Sequence, residues 1–392
     1  MLAAGGRQLS TNGFRTYNGD GRHRVIVTRP LPGDRWLDIL TAASLRVDVW
    51  TGVLTPDSKL LRGYMLPCCD GVIGQLTEAW DESSFFLLEK AGCRVYSNYA
   101  VGYDNVDIEA ATAHGIAVGN TPGVLTDTTA ELACALTLAS ARRIAEADRF
   151  VRAGSFSGWS PTLLLGNLLA RKTVGVIGMG RIGYAYARIM TGGFRTNLLY
   201  YDIRKNCDIE RYVARFNRFL VQDKKPPVVC TRAESVDELL ANADIVSIHV
   251  SLDEDTCRMI GKRELALMKE DAVLVNTSRG SILDEKALVC HCRTHPRFLA
   301  GLDVYENEPN RAPGLDSLDN VVLLPHLGSA TRWTRESMAT IAALNVTGIL
   351  RGLPVWPDPE NVLTFLGSVP PAAVPSIVNG HELGLPIYTV SP

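Results

Sequence analysis

The stretch from Val174 to Asp202, VGVIGMGRIGYAYARIMTGGFRTNLLYYD, constrains the fold more than any other part of the chain. Val174, Val176 and Ile177 are β-branched residues in a short apolar run, which reads as a buried strand. The run stops at Gly178, Gly180 and Gly183, and an alanine-rich segment of helical character follows. Such a passage from strand to helix needs one glycine for the turn, one where a ligand must approach the backbone, and one where helix and strand pack closely. The start of the helix, with Arg181 and Ile182 before the last glycine, offers N–H groups that suit phosphate. A second apolar run ends at Asp202, at the distance where an acid can hold ribose hydroxyls. Together these features predict a dinucleotide site on a Rossmann-type, doubly wound parallel sheet, where the glycines alone would equally describe a helix-packing turn.

With 392 residues, 46% hydrophobic and 21% charged, the chain has material for two domains rather than one. A formal net charge of −2 argues against a nucleic-acid binder that relies on bulk electrostatics. No apolar run is long and uncharged enough to span a bilayer. The nine cysteines follow no spaced framework and fit reduced thiols better than a disulfide scaffold, with vicinal Cys68 and Cys69 read as buried. Cys290, His291, Cys292 and His295 lack a second spaced pair and point different ways on a helix, so no metal site is expected. Residues 1–23 carry Arg7, Arg15 and Arg22 against a single acid, Asp20, a bias found in organelle transit peptides and in plain disordered N-termini.

In chain order, RVIVTR at 24–29, Val47–Trp50 and Gly71–Leu76 read as strands separated by helical segments, so an α/β domain precedes the glycine turn. VYSNYAVGYDNVD at 95–107 is a strand that runs into a turn at Gly102, where bared N–H groups can bind a carboxylate; a plain surface turn fits equally well. Thr128 and Glu131 have capping-box spacing before a long apolar helix over 130–144. Phe156 and Trp159 read as exposed aromatics in a loop. After Asp202 comes a long excursion in which Ile209, Tyr212, Val213, Phe216, Phe219 and Leu220 fall at helical spacing. ADIVSIHV, AVLVN, FLAGLDV and VVLL supply four more buried strands, whose C-terminal ends form the ligand edge of an open α/β sheet.

Arg279, Glu308 and His326 all fall at that edge. Reducing a ketone by hydride leaves an alkoxide that needs a proton donor near neutral pH, which histidine can be, while a carboxylate orients it. A guanidinium fork can hold the carboxylate and carbonyl oxygens of a 2-keto acid. Taken singly, the three could be a cap arginine, a surface glutamate and a core histidine.

The motifs VGYDNVD, GNTPGVLTDTTAEL, VIGMGRIG, NTSRG, GLDVYENEP and PHLGSAT, in this order between about Arg24 and Gly352, resemble the D-isomer-specific 2-hydroxyacid dehydrogenases. ERYVARFNRFL, RWTRESMATIAALNV and the PPAAVPSIVNGHELGLP tail are most similar to the plant-type, NADH-dependent hydroxypyruvate reductase (glycerate dehydrogenase) branch. The resemblance implies a flavodoxin-like substrate domain over 24–127 and 328–365, a dinucleotide-binding domain over 128–327, a cleft between the two, and a tail over 366–392. It assigns Arg279 to substrate binding, His326 to acid/base work and Glu308 to pairing with His326. Ala100, Val101 and Gly102 would bring backbone amides to the substrate carboxylate. Asp303 would meet the nicotinamide carboxamide, and His249, Val250, Thr277 and Gly328 would line the cofactor with Gly178, Gly180, Arg181, Ile182, Gly183 and Asp202. Trp159 would reach a neighbouring subunit's substrate pocket, which implies a homodimer joined through the cofactor domains.

The implied activity is reduction of hydroxypyruvate, and more slowly glyoxylate, in photorespiratory metabolism, with NADH preferred over NADPH because Asp202 would repel a 2′-phosphate. Glyoxylate reductase and other D-2-hydroxyacid dehydrogenase activities are the near alternatives, and an NAD-sensing corepressor built on the same fold is the alternative of another class. The chain ends Val390-Ser391-Pro392 rather than in a Ser-Lys-Leu address, so mitochondria are expected ahead of chloroplast, cytosol or peroxisome.

Overall fold

The computed structural model describes residues 9–11, 13–52, 63–65, 68–359 and 361–389. Two compact units divide them, Met1–Leu125 with Ala330–Pro392 and Thr126–Ser329.

In the first unit seven strands form one sheet: β1 (Leu9–Thr11), β2 (Phe14–Tyr17), β3 (His23–Val27), β4 (Leu45–Trp50), β5 (Gly71–Gly74), β6 (Val95–Asn98) and β7 (Ala117–Gly119). Their order is β1-β2-β4-β3-β5-β6-β7, and β4-β3-β5-β6-β7 run parallel. That is the flavodoxin-like order, in which the strand sequence reverses between β3 and β5. The Arg332–Leu350 helix crosses one face and buries most of its length. It comes so close that a Cβ on Gly119 would meet Asn345 Nδ2 at 2.7 Å. The close approach serves a polar contact, because Asn345 donates to Asn120 O at 2.9 Å and accepts from Ser376 N at 3.0 Å.

Described segments toward both termini, where sequence composition marks a leader and a tail, belong to this unit. β1 and β2 form an antiparallel hairpin on the edge of the sheet. Phe14 is fully buried, stacked on Tyr64 and edge-on to Trp50, and Thr16 donates to the buried Asp48 at 2.6 Å. Toward the C-terminus, Val378 N donates to Val118 O at 2.7 Å and Asn379 Oδ1 accepts from Val118 N at 2.8 Å. These bonds join residues far apart in sequence, so local composition carries no sign of them. Cys69 is buried as expected, but Cys68 is exposed.

The second unit holds β8 (Thr173–Ile177), β9 (Asn197–Tyr201), β10 (Cys230–Arg232), β11 (Ile245–Ile248), β12 (Val273–Asn276), β13 (Leu299–Leu302) and β14 (Val321–Leu323). All pairs are parallel, in the order β10-β9-β8-β11-β12-β13-β14. This is the Rossmann order with one strand added. A core lies on each face. Tyr186, Ala187 and Met190 of the Arg181–Phe194 helix fill one with Val174, Val176 and Tyr200, and Leu239, Leu240, Leu288 and Phe298 lead the other. Each large apolar side chain buried in this way contributes roughly 1.5–3 kcal/mol, enough to fix the register that lines up the strand ends.

The helix expected over 130–144 spans Thr126–Ala141 instead, so Thr128 lies inside its first turn and does not cap it. It stops where Arg143 turns left-handed at φ +53°, and a second helix, Ile144–Arg152, follows. The excursion after Asp202 forms the Cys207–Gln222 helix, whose Val213 and Leu220 close with Val228 over a small core of their own.

Candidate active site

Strand register brings the candidate residues of the second unit to one level. Ile177 pairs with Tyr201 and with Ile248, Ile248 with Asn276, and Asn276 with Leu302. The residues one step further, Asp202, Gly178, His249, Thr277 and Asp303, therefore stand side by side at the C-terminal edge, where open α/β sheets bind ligands. Backbone bonds hold this row: Gly178 N to Tyr201 O at 2.9 Å, His249 N to Ile177 O at 2.7 Å and Asp303 N to Asn276 O at 3.0 Å.

The glycine turn fits a dinucleotide diphosphate. Gly178 has φ +90°, and a Cβ there would lie 2.8 Å from His249 O and from Val250 Cγ1. At Gly183 it would meet Gly178 O at 2.0 Å. In front of Gly180 nothing lies within 4 Å, and no side chain caps the helix that starts at Arg181. Its first amides, including that of Ile182, are therefore available to an anion. Arg181 Nη1 and Thr277 Oγ1 are buried without a protein partner, the condition of groups that a bound molecule would satisfy. Asp202 stands beside the turn, with Oδ2 accepting from Met179 N at 2.7 Å and Oδ1 from Arg204 N at 2.9 Å.

His249 and Asp303 do structural work that their motifs do not announce. The His249 ring packs against Tyr186 and bonds Ser247 Oγ at 2.8 Å. Burial pushes its pKa down to about 3, so the ring is neutral at physiological pH. Asp303 is fully buried, with its two oxygens accepting from Leu327 N at 2.6 Å and Gly328 N at 2.7 Å. Burial raises its carboxyl despite those amides and the nearby charge of His326. What Asp303 holds in this structure is the loop that carries His326. Thr129 completes the anchor by donating to Gly328 O at 3.0 Å.

His326 has φ +56°, a left-handed conformation that a non-glycine residue keeps only when its neighbours enforce it. In that position its Nδ1 lies 2.9 Å from Glu308 Oε2. Burial alone would raise the Glu308 carboxyl, but the bond and charge of His326, the Tyr305 amide and the charge of Arg279 hold it below its ordinary range. Arg279 follows β12 on a short loop in which Asn276 Nδ2 donates to Arg279 O at 2.8 Å and Asn276 Oδ1 accepts from Ser278 N at 3.0 Å. The next residue must be glycine, since a Cβ on Gly280 would fall 1.8 Å from the carbonyl carbon of Tyr305. That close approach brings the Tyr305–Glu308 segment to Arg279.

In the first unit, the carbonyls of Ala100, Val101 and Gly102 accept from Thr121 N at 2.8 Å, Asn120 Nδ2 at 2.9 Å and Asn98 Nδ2 at 3.0 Å. Among the described residues none of the three amides donates within the protein, so the loop is held by its acceptors and its donors are unspent. Sequence reasoning missed Asn98, Asn120 and Asn276, which position the loops; the signal was present, since all three sit at strand ends beside the motifs. Trp159 is 84% exposed, and Phe156 beside it is also exposed.

A Rossmann sheet whose ligand edge carries a diphosphate turn and an arginine, glutamate and histidine defines a dinucleotide-dependent oxidoreductase. The family model for the D-isomer specific 2-hydroxyacid dehydrogenase, NAD binding domain, matches residues 134–328. Glycerate dehydrogenase of Cucumis sativus is 51% identical over 377 residues, covering 95% of this chain and 98% of that protein. Glyoxylate reductase of Korarchaeum cryptofilum is 40% identical, with 84% and 93% covered. Among solved structures, the TT0316 protein of Thermus thermophilus superposes with a TM-score of 0.74 at 36% identity, over 91% of this chain and 99% of that one. The chain belongs to the D-isomer-specific 2-hydroxyacid dehydrogenase family, and a nicotinamide dinucleotide is its cofactor.

Proposed function

We propose that the protein reduces hydroxypyruvate to D-glycerate with NADH, and glyoxylate to glycolate more slowly, in photorespiratory metabolism. The observation that carries the reading is the Glu308–His326 contact with Arg279 beside it, in a chain 51% identical to glycerate dehydrogenases of two plants. Bound nicotinamide supplies the hydride that the keto carbon accepts. The Arg279 fork binds the substrate's carboxylate and carbonyl oxygens and polarises the ketone. His326, held by Glu308, delivers a proton to the carbonyl oxygen as that oxygen takes up negative charge. The unspent amides of Val101 and Gly102 suit the substrate carboxylate.

Preference for NADH rests on Asp202, whose carboxylate would accept from ribose hydroxyls and repel a 2′-phosphate. Arg204 and Lys205 follow Asp202 and could soften that repulsion; of the two, Lys205 is drawn to Glu210 at 3.0 Å. Ile144, Val151, Phe156, Trp159, Leu165 and Leu168 form an exposed apolar stretch on the dinucleotide unit, which supports a homodimer joined there.

Steady-state rates with hydroxypyruvate, glyoxylate and pyruvate, each with NADH and NADPH, test the reading. Hydroxypyruvate with NADH should give the highest kcat/KM. A higher value with glyoxylate would move the protein to the glyoxylate reductases, and equal values with both dinucleotides would remove the role given to Asp202.

A further inference from the structure

The excursion after Asp202 carries the chain across from β9 to the parallel edge strand β10, and its first helical cap is bonded to the glycine turn. Asn206 Oδ1 accepts from Asp208 N at 3.1 Å and Ile209 N at 3.0 Å, so it caps the Cys207–Gln222 helix. The same side chain turns its Nδ2 outward and donates to Met179 O at 2.9 Å. Met179 sits between Gly178 and Gly180 and is itself buried. Its N–H is already held by Asp202. Both polar groups of the residue at the crest of the turn are therefore fixed, one by Asp202 and one by Asn206.

Peptide planarity gives this bond a consequence. Met179 C=O and Gly180 N–H belong to one trans peptide and point in opposite directions. Holding the carbonyl toward Asn206 aims the Gly180 N–H away from it. Among the described residues that N–H has no acceptor within the protein, and the space in front of Gly180 is open. The Asn206 clamp is braced in turn: Asn206 N donates to Tyr200 Oη at 3.3 Å, Tyr200 Oη bonds Glu210 Oε1 at 2.9 Å, and Lys205 pairs with that carboxylate.

We propose that Asn206 is a positioning residue for the dinucleotide diphosphate, acting through the Met179–Gly180 peptide, and that the excursion helix serves as the brace of the glycine turn. The inference rests on the diphosphate lying at that turn, and it adds a residue outside the glycine motif to the determinants of cofactor affinity. Without the clamp the peptide can rotate, and the amide that should meet the phosphate spends part of its time elsewhere.

Asn206→Ser tests this cleanly. Serine is a good, neutral N-cap, but its side chain is too short to reach Met179 O, so the helix keeps its cap while the clamp is lost. Affinity is read directly by titrating NADH against the full-length protein and following nucleotide fluorescence, with KM, kcat and the melting temperature of the nucleotide-free protein alongside. The expected result is a rise of about tenfold in both the dissociation constant and the KM for NADH. At saturating NADH, kcat should stay within about twofold of the parent, and the melting temperature should be unchanged. Asn206→Asp, which keeps the cap and sets a carboxylate against the Met179 carbonyl, should weaken NADH further. A dissociation constant for Asn206→Ser within about twofold of the parent's would overturn the proposal, as would a lowered melting temperature with affinity unchanged, which would leave Asn206 as a helix cap alone. Because binding is measured without turnover, failure of the parent to reduce hydroxypyruvate would count against the proposed reaction and leave the comparison of affinities intact.

Discussion

Nδ1 of His326 lies 2.9 Å from Oε2 of Glu308, and the histidine meets that carboxylate from a left-handed backbone position, φ +56°. The two residues come from different loops, after β13 and after β14, so their contact depends on how each loop is tethered. Glu308 is tethered by its own turn, with Oε1 accepting from Tyr305 N at 3.1 Å. His326 is tethered by Asp303.

Glu308→Gln keeps a side chain of the same shape and removes its charge. The amide can still bond the imidazole, but no negative charge then faces the ring. We expect kcat to fall by about tenfold, against roughly 10²–10⁴-fold for His326→Asn, which removes the acid itself. The NADH dissociation constant should be unchanged in both variants, as measured by fluorescence titration. A full-rate Glu308→Gln enzyme would show that geometry, and not charge, is what the glutamate supplies.

Asp303→Ala should damage the same chemistry from below. It leaves the amides of Leu327 and Gly328, bonded now at 2.6 and 2.7 Å, without their acceptor in a buried place. An unsatisfied buried donor costs about 1–3 kcal/mol, so thermal unfolding should shift down by several degrees. Released from its anchor, the His326 loop loses the left-handed geometry, and kcat should drop at temperatures where the protein is still folded. Activity retained alongside a lowered melting temperature would separate the anchor from the chemistry.

The glycines of the turn should respond differently to the same added methyl group. Gly183→Ala places a Cβ against the Gly178 carbonyl oxygen, 2.0 Å away before relaxation, so the helix must move off the strand and stability should fall. Gly180→Ala meets no protein atom within 4 Å, so the protein should fold and melt like the parent. That methyl would stand where the diphosphate is expected, and NADH affinity should drop by about tenfold or more. Circular dichroism melts paired with NADH titration distinguish the two outcomes. Unimpaired NADH binding by Gly180→Ala would place the diphosphate elsewhere.

Much of this architecture is legible in the sequence because its signals are local. Val174 to Asp202 announces strand, turn, helix and acid in one continuous stretch, and the structure places β8, the glycine turn and β9 there with boundaries shifted by a residue or so. The motifs around Arg279, Glu308 and His326 are equally local. What escapes is long-range. Phe14 reads as part of a polar leader, yet it is buried against Tyr64 and Trp50, partners that only the folded sheet brings near. Thr128 has the spacing of a cap, but the helix begins two residues earlier, at Thr126. The resemblance assigns Asp303 to the nicotinamide carboxamide; its oxygens also accept from amides that follow it by more than twenty residues, and no spacing rule reveals that additional contact.

On the first unit, His114 bridges two helices in a way that should make stability depend on pH. It follows the Ile108–Ala113 helix, and its Nε2 and Nδ1 lie 2.9 Å from Glu82 Oε1 and 2.9 Å from Glu89 Oε2 on the Glu82–Lys90 helix. Both ring nitrogens can donate only in the imidazolium form. The bond to Glu82, then that to Glu89, raises the pKa above its ordinary value. A histidine whose folded-state pKa is raised contributes stability that is fully present below its unfolded value, about 6.5, and is lost as pH rises through the folded value. His114→Gln should therefore melt below the parent at about pH 5.5, with the gap closing toward about pH 9. Both glutamates are largely exposed, so the gap should also shrink in high salt. A gap that stayed constant across the pH range would mean that His114 holds the helices through packing against Phe86, with no part played by its charge.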